Sequence, residues 1–365
     1  EAGPQYRALV AALECDLAEG RVHPGARLPA RRTLASDLGL SLGTVTRAYE
    51  EMERRGLVEG QVGRGTFVCA RPGDSAMQAR GTGERAILAD LSLNIAPSTG
   101  DTELLRKTLH WLADSADLDD VMRYLPHSGE AEPRASLTQG FARQRGCEFG
   151  PAETVLTHGA QHAIALVSEL FTRPDGETAR VAPILSESVS YTGIIALARH
   201  RSIPLEGVTL DEEGMLPEAL AARAEETGAK LVYLTPTLQS PTAATMSPER
   251  RAAIVDVARA ADLYLIEDDC YGFLDPDGPP PLQTLAPERV FYVTSFAKCF
   301  SPALRLGMAL VPPRFAGAMA VGLRASSWMA SPLLARAMAH LCDTGELDDV
   351  IKDKRAEATA RMALA

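Results

Sequence analysis

The sequence predicts an α/β protein made of a small helical module at the N-terminus and a larger, doubly wound domain with a mostly parallel sheet. Two observations predict this architecture. Apolar residues recur at helical spacing through most of residues 1–70, whereas short β-rich runs alternate with amphipathic helical stretches beyond residue 150. We therefore expect domains over 1–70 and 88–365, joined by a flexible linker at 71–87 that is rich in glycine and charged residues.

Composition limits the class of protein. The chain has 365 residues, of which 46% are hydrophobic, and this is ample for a large core. No apolar run approaches the ~20 residues of a membrane span, and the first residues lack a signal pattern, so we expect a soluble, cytoplasmic protein without membrane contact. The six cysteines lack the spacing of a disulfide framework or a zinc site, so we expect reduced thiols and no metal.

Charge is distributed unevenly along the chain. Residues 1–75 carry ten arginines and ten acidic residues, so the entire net charge of −11 falls after residue 75. The N-terminal segment is thus neutral, with arginine as its only basic residue type, and the rest of the chain is acidic. This contrast is consistent with a separate function at the N-terminus.

The first 70 residues contain the pattern of a helix, a short turn with glycine and a second helix. Gly39 ends one helical stretch, and Ser41 can cap the next. Glycines at 60, 63 and 65 then separate two short β-prone runs, which favours a hairpin. The expected elements are helices over 6–18, 28–39 and 42–55 and strands at 56–58 and 66–68.

The motifs LPxRRxLA, SxGTVxxAYxxMxxRGLV and GxGTFV occur here in that order and resemble the winged helix-turn-helix of GntR-type transcription regulators. The resemblance implies that the second helix enters the major groove of a double-stranded DNA operator and that the wing reaches the minor groove or the backbone. Leu42 stands where arginine is common, which removes one contact. The alternative for each arginine is a solvated helical face. The DNA-facing candidates are Arg32, Ser41, Gly43, Thr44, Thr46, Arg47, Gly63 and Arg64.

A lysine follows a strongly β-prone run in the C-terminal half. The run 290–293 ends in Thr294 and Ser295, Lys298 comes three residues later, and Arg305 precedes a second apolar run. This order predicts a strand, an exposed turn and a strand. A lysine at the end of a buried strand loses solvation, which favours a nucleophilic amine able to form Schiff bases. The alternative is a surface lysine on a loop.

This segment resembles the SxSK and GxRxG pattern of fold-type I aminotransferases, which depend on pyridoxal 5'-phosphate. The resemblance implies that Lys298 binds the cofactor covalently and that Ser295 and Arg305 hold its phosphate. Ala297 departs from the pattern, because a second hydroxyl is usual there.

Five β-rich runs predict the parallel sheet, in which ligands bind at the C-terminal ends of strands. After the first run, the segment THGAQHAI opens a helix, and its glycine and fresh helix N-terminus favour a phosphate. It resembles the phosphate-binding GAQQA segment of the same family, which implies Gly159, Ala160 and Gln161; a plain strand-to-helix turn is the alternative. The expected strands are 154–157, 180–183, 230–234, 263–267 and 290–294.

The segment EDDCY follows another β-rich run. An acid at the end of a buried strand is costly unless it is paired or hydrogen-bonded. In the resembling family the first aspartate pairs with the pyridine nitrogen and the tyrosine reaches the phenolic oxygen, which implies Asp268 and Tyr271 and, with Lys298, a catalytic set. A solvated acidic loop is the alternative for this segment and is our expectation for Asp269.

Three further segments resemble the family. In LQSPTAA, Ser240 takes the place of an asparagine that contacts the phenolic oxygen, Ala243 replaces a glycine, and Gln239 is a secondary candidate. In SYTG, Tyr191 is expected to stack on the pyridine ring, with a core tyrosine as the alternative. In YLPHSG, Tyr124 corresponds to the tyrosine that reaches the partner subunit's phosphate, which implies a domain-swapped homodimer.

Taken together, these segments resemble the MocR-type subgroup of GntR regulators. The resemblance implies a DNA-binding transcription regulator whose aminotransferase-like domain senses pyridoxal phosphate or a small amino compound. An active aminotransferase acting on an amino acid is the alternative, and a scaffold that has lost the cofactor is a third possibility. The family continues into a small C-terminal domain with an arginine for a substrate carboxylate. We find no candidate for that arginine and expect that domain to be missing here.

Overall fold

The computed structural model describes residues 5–18, 21–22, 25–55, 57–61, 65–68, 94, 96, 99–115, 119–150, 152–172 and 181–364. The chain divides into two compact units, Glu1–Leu93 and Asn94–Ala365. The expected linker at 71–87 and the DNA-facing candidates Gly63 and Arg64 lie outside the described residues.

The first unit contains the helix-turn-helix and hairpin that the sequence predicts. The first hairpin strand was misplaced, however: it spans Val58–Gln61 rather than 56–58, and Gly60 pairs with Thr66 in the ladder. Ser41 begins the third helix, since its Oγ accepts a hydrogen bond from the Thr44 amide at 3.1 Å and so caps the first turn. The Tyr49 hydroxyl donates to the Pro29 carbonyl at 2.7 Å, which ties this helix to the segment ahead of the second one. The elements are α1 (Gln5–Ala18), α2 (Arg31–Asp37), α3 (Leu42–Arg54), β1 (Val58–Gln61) and β2 (Gly65–Val68).

The second unit alternates helices and strands in the described residues. The helices are α4 (Asp101–Ala113), α5 (Ala131–Gln144), α6 (Ala160–Thr172), α7 (Thr192–His200), α8 (Pro217–Thr227), α9 (Pro248–Ala260), α10 (Leu282–Leu285), α11 (Phe296–Cys299), α12 (Ala316–Ser326), α13 (Pro332–Thr344) and α14 (Glu346–Met362). The strands are β3 (Glu153–Thr157), β4 (Ile184–Glu187), β5 (Leu205–Val208), β6 (Leu210–Asp211), β7 (Gly214–Met215), β8 (Leu231–Leu234), β9 (Tyr264–Asp268), β10 (Val290–Ser295) and β11 (Gly307–Val311).

Seven of these strands form one sheet in the order β3-β11-β10-β9-β8-β4-β5. Strands β10, β9, β8, β4 and β5 pair in parallel, whereas β11 pairs antiparallel with both of its neighbours. The central strands β8, β9 and β10 are buried along their whole length, as expected for strands covered on both faces. The predicted doubly wound α/β domain with a mostly parallel sheet is confirmed.

One expected strand lies further along the chain than the sequence predicted. Residues 181–183 are not in a strand, and β4 begins at Ile184. Pro183 has no N–H to donate to a ladder, whereas Ile184 and Leu185 are fully buried and pair with both β5 and β8. The prediction of a strand at 180–183 was therefore wrong by about one strand length.

The expected exposed turn after β10 was also wrong. Its first residues form the short helix α11, and Pro302–Leu304 add a turn of 3-10 helix. Phe296, Cys299 and Phe300 are buried, which fixes this segment against the core. Lys298 therefore lies half-buried on a short, anchored helix.

Some kinds of site find no support in the part of the chain that the structure describes. None of its helices is long and apolar enough to cross a membrane. Its histidines, cysteines and acidic residues form no group of three suited to a metal ion, and the five cysteines it includes are free thiols.

Candidate functional site

A cavity at the C-terminal edge of the sheet gathers side chains from distant parts of the chain. Every residue that the sequence predicted for the cofactor lines it, except Tyr124 and the secondary candidate Gln239. The lining consists of Gly159, Ala160, Gln161, Tyr191, Tyr233, Thr235, Ser240, Asp268, Cys270, Tyr271, Ser295, Ala297, Lys298 and Arg305.

Asp268 is the last residue of β9 and is 6% exposed. Its Oδ2 accepts a hydrogen bond from the Tyr233 hydroxyl at 2.8 Å, and its Oδ1 accepts one from the Cys270 amide at 3.2 Å. Burial raises the pKa of this carboxyl, while the bond from Tyr233 opposes the rise. A cationic group inside the cavity would stabilise its ionised form.

Lys298 extends into the same cavity from α11. Its Nζ donates a hydrogen bond to the Asn94 carbonyl and lies 5.5 Å from the centroid of the Tyr271 ring. Burial lowers the pKa of this amine, and the negative charge of Asp268 opposes that effect. A lowered pKa increases the fraction of neutral, nucleophilic amine.

Tyr271, at the cavity wall, is held by a hydrogen bond from Asn94. Its hydroxyl accepts a hydrogen bond from Asn94 Nδ2 at 2.9 Å, and burial raises the pKa of the phenol. The tyrosine therefore stays protonated at neutral pH and can donate a hydrogen bond to a ligand atom in the cavity.

A tight corner of backbone lies where β3 ends and α6 begins. Gly159 has φ +84°, and a Cβ built on it would lie 3.1 Å from Arg305 Nη2. A Cβ on Gly307 would lie 2.7 Å from the Gly159 carbonyl carbon, so two stretches of backbone meet here without room for side chains. The Arg305 Nη2 donates to the His158 carbonyl at 3.1 Å, which directs the guanidinium to the first turn of α6.

Gln161 and Tyr191 form the wall next to this corner. Gln161 Nε2 donates to the Gly193 carbonyl at 2.9 Å, while its buried Oε1 has no hydrogen-bond partner in the described structure. Tyr191 is half-buried, and burial raises its pKa to about 12. A Cβ on Gly193 would lie 2.1 Å from the Tyr191 ring, so this glycine lets the ring lie against the start of α7.

Ser240 reaches the cavity from a segment that buried polar groups hold in place. The neighbouring Gln239 does not line the cavity; its Nε2 donates to Glu187 Oε2 at 3.1 Å and to the Val189 carbonyl at 2.7 Å. Burial raises the pKa of Glu187 to about 7. Gln239 and Glu187 thus support the wall that carries Ser240.

Asp269 is buried, which contradicts the expectation of a solvated acidic loop. It is 2% exposed, its Oδ2 lies 2.9 Å from Arg145 Nε, and it accepts a hydrogen bond from the Tyr292 hydroxyl at 2.7 Å. The Asp269 amide still donates to the Val293 carbonyl, so the chain remains extended here. Successive side chains of an extended chain point to opposite faces, which sends Asp269 to Arg145 and Asp268 into the cavity.

Tyr124 is not part of this cavity. It is 81% exposed, and its ring centroid lies 5.3 Å from that of Trp328. Its expected contact with the partner subunit's phosphate remains a prediction.

Sequence reasoning missed several residues of the cavity. The signal for Tyr233 was its position near the end of an apolar run, where a buried hydroxyl needs a partner. Cys270 and Thr235 lie within motifs in which only other residues were assigned a role. Asn94 does not line the cavity but contacts Lys298 and Tyr271. It carried no signal, because these contacts join residues 204 and 177 positions apart.

The first unit presents most of the DNA-facing candidates on one helix and the turn ahead of it. Among the described candidates, Arg32, Ser41, Gly43 and Arg47 are exposed, and Thr44 and Thr46 are half-buried. The guanidinium carbon of Arg47 lies 4.5 Å from the centroid of the Tyr6 ring, which orients this arginine from α1.

Two family profiles match the chain. The profile described as "Bacterial regulatory proteins, gntR family" matches residues 5–68, and the one described as "Aminotransferase class I and II" matches residues 87–364. Together they cover the helix-turn-helix unit and the domain that contains the cavity.

Individual relatives and a solved structure are also similar to this chain. The "Uncharacterized HTH-type transcriptional regulator YdeF" of Bacillus subtilis is 27% identical over 99% of this chain and 76% of its own length. The "HTH-type pyridoxine biosynthesis transcriptional regulator PdxR" of Corynebacterium glutamicum is 28% identical over 81% of this chain and 63% of its own length. The crystal structure of a multiple substrate aminotransferase from Thermococcus profundus matches with a TM-score of 0.69 at 22% identity, over 80% of this chain and 72% of that one. That similarity concerns the fold.

Proposed function

The chain belongs to the aminotransferase class I and II family and carries a GntR-family helix-turn-helix domain, and from this premise we propose a transcription regulator controlled by pyridoxal phosphate. The observation that carries the proposal is one chain that joins a DNA-binding unit to a cavity gathering Lys298, Asp268 and Arg305. A free-standing aminotransferase has no use for such a unit. We propose that the protein acts in the cytoplasm.

The DNA-binding unit is proposed to engage a double-stranded operator through α3. Ser41 and Thr44 at its start suit phosphate contacts, and Arg47 can reach a base edge or a phosphate. Gly63 and Arg64 are proposed to contact the backbone or the minor groove. Single units of this kind bind weakly, so we propose that two copies act on two half-sites.

The residues that line the cavity fit pyridoxal phosphate. Gly159, Arg305 and the first turn of α6 form a corner that a side chain would block, and Ser295 adds a hydroxyl beside it. The unpartnered Gln161 Oε1 supplies a further acceptor at the wall. When bound, the cofactor would supply an electrophilic carbonyl for amines and a ring that accepts electrons.

Each residue has a distinct proposed role. The Lys298 amine would hold the cofactor covalently, and Asp268 would keep the pyridine nitrogen protonated. The Tyr233 hydroxyl supports this by donating to Asp268. Tyr271 and Ser240 would donate to the phenolic oxygen, and Tyr191 would stack on the ring. Ala160 would contribute its backbone amide at the start of α6.

We propose that the signal is pyridoxal phosphate itself or a small amino compound that reacts with it. The relative named as a regulator of pyridoxine biosynthesis supports a link between this architecture and vitamin B6. The exposed Tyr124 supports a homodimer in which each subunit completes the partner's site, since an 81% exposed tyrosine is free to reach another chain.

Two measurements test the proposal. A visible absorption band should form when pyridoxal phosphate is added to the protein and should be lost in Lys298→Ala. DNA from upstream of the regulated gene should bind the full chain, and its affinity should change with pyridoxal phosphate in the wild type but not in Lys298→Ala. Equal binding to random and upstream DNA at physiological salt would reject the regulator.

The alternative is an active aminotransferase, which the convergence of Lys298, Asp268 and Tyr271 in one cavity favours. It predicts multiple turnovers with an amino donor and a keto acid. Absence of turnover across a panel of amino acids, with the cofactor band present, would reject the enzyme and leave the regulator standing.

A further inference from the structure

Leu42 is an exposed leucine at the first residue of α3. Its exposure is 45%, whereas the other large apolar residues of this helix, Val45, Tyr49 and Met52, are buried. The interior of the unit is therefore filled by other residues, and the Leu42 side chain projects from the start of the helix.

The neighbours of Leu42 leave it unobstructed. The hydroxyls of Ser41 and Thr44 lie 2.8 Å apart and the Ser41 Oγ caps the helix, which holds both side chains at the cap. Gly43 has no side chain, and a Cβ placed there would meet nothing closer than the Ser41 Oγ at 3.9 Å. Thr46, one turn later, lies on the same flank of the helix as Leu42.

The position and the chemistry of Leu42 together define what it can recognise. The N-terminal residues of the second helix in a helix-turn-helix contact base edges in the major groove. Leucine neither donates nor accepts hydrogen bonds, and the apolar group on those edges is the C5-methyl of thymine. Resting on the proposed operator binding by α3, we propose that Leu42 contacts a thymine methyl and selects an A·T pair at one position in each half-site. Leu42 then supplies a base contact in place of the one that an arginine would make.

The test separates methyl recognition from DNA binding itself. Binding sites are first selected from a random duplex library with the full chain, and each thymine of the selected site is then replaced singly by deoxyuridine, which removes only the methyl group. At one thymine per half-site we expect about fourfold weaker binding by fluorescence anisotropy, the equivalent of ~0.8 kcal/mol for one buried CH₂ group. The replacement should have no effect on the Leu42→Ala variant. Leu42→Arg should shift the selected base at that position towards guanine.

Leu38→Ala is the matched control, because this leucine is 50% exposed and is the C-cap of α2 rather than the first residue of α3. Leu38→Ala should retain the fourfold response to deoxyuridine. The inference is overturned if the wild type binds its selected site but is indifferent to every deoxyuridine replacement, or if Leu42→Ala keeps the full response. Failure to select any site would instead overturn operator binding, and the inference with it.

Discussion

Arg145 Nε lies 2.9 Å from Asp269 Oδ2, and the two side chains are 1% and 0% exposed. The same guanidinium donates to the carbonyls of Gly272, Asp275 and Pro279. One buried cation from the segment after α5 thus holds the stretch of chain that follows β9, on which Tyr271 sits. Asp269 stands between the lining residues Asp268 and Cys270 in the chain, so the pair supports the cavity wall.

The first prediction concerns this pair. Asp269→Asn removes one charge and leaves Arg145 buried without compensation, so we expect a loss of about 3–5 kcal/mol in the free energy of unfolding. Urea denaturation of the full chain measures it. Asp262→Asn is the control, because Asp262 pairs with Lys230 and Arg289 but is 63% exposed, and its loss should cost less than about 1 kcal/mol. Similar costs for the two variants would contradict the assignment.

The second prediction concerns the corner between β3 and α6, where we propose that the phosphate binds. In Gly159→Ala, the added methyl meets the Arg305 guanidinium and the backbone keeps a left-handed φ, so we expect about tenfold weaker binding of pyridoxal phosphate. Titration followed by absorbance checks this. Gly317→Ala adds a methyl within α12 where no atom lies within 4 Å, and it should leave cofactor affinity unchanged. Unchanged affinity in Gly159→Ala would place the phosphate elsewhere.

The third prediction concerns pH and stability. Burial raises the pKa of Glu187 from 4.5 to about 7, so the folded chain keeps a proton there that the unfolded chain releases. The stability that this group contributes is complete below pH 4.5, falls as the pH rises towards 7 and stays constant above that, for a total of about 3 kcal/mol. Glu187→Gln should therefore flatten the decline in stability between pH 4.5 and 7. Urea unfolding at several pH values measures it, and an unchanged slope would contradict it.

The fourth prediction concerns the cap of α3. Ser41→Ala removes the acceptor for the Thr44 amide, which should lower local helix stability by about 1 kcal/mol and weaken operator binding. Hydrogen exchange at residues 42–45 and anisotropy with operator DNA measure the two effects. Ser247→Ala loses an equivalent cap on α9, from the Arg250 amide, and should leave DNA binding unchanged. Equal effects of both variants on DNA binding would argue against a role for α3.

Much of the fold followed from local pattern. The order of helices and hairpin in the first unit and the β-rich runs of the second were legible because apolar periodicity and glycine positions are properties of short segments. The strand at 184–187 was predicted too early in the chain. The apolar run includes Pro183, but the hydrogen-bonded strand begins only after that proline.

The candidate site was predictable where a motif holds its residues close in sequence, as with Asp268 and Tyr271. It was not predictable where the deciding contact is between distant residues. Asp269 is buried because it pairs with the buried Arg145. No feature of the neighbouring sequence indicates that this arginine, at the end of a helix, is only 3% exposed. Asn94 belongs to the same class, since only the folded chain brings it to Lys298.

Strand β11 runs against its neighbours, so it enters the sheet at the edge where β10 leaves it. The short segment that connects these two strands therefore carries both Lys298 and Arg305. Insertions or deletions within that connecting segment would change the distance between the Lys298 amine and the Arg305 guanidinium while both strands stayed paired.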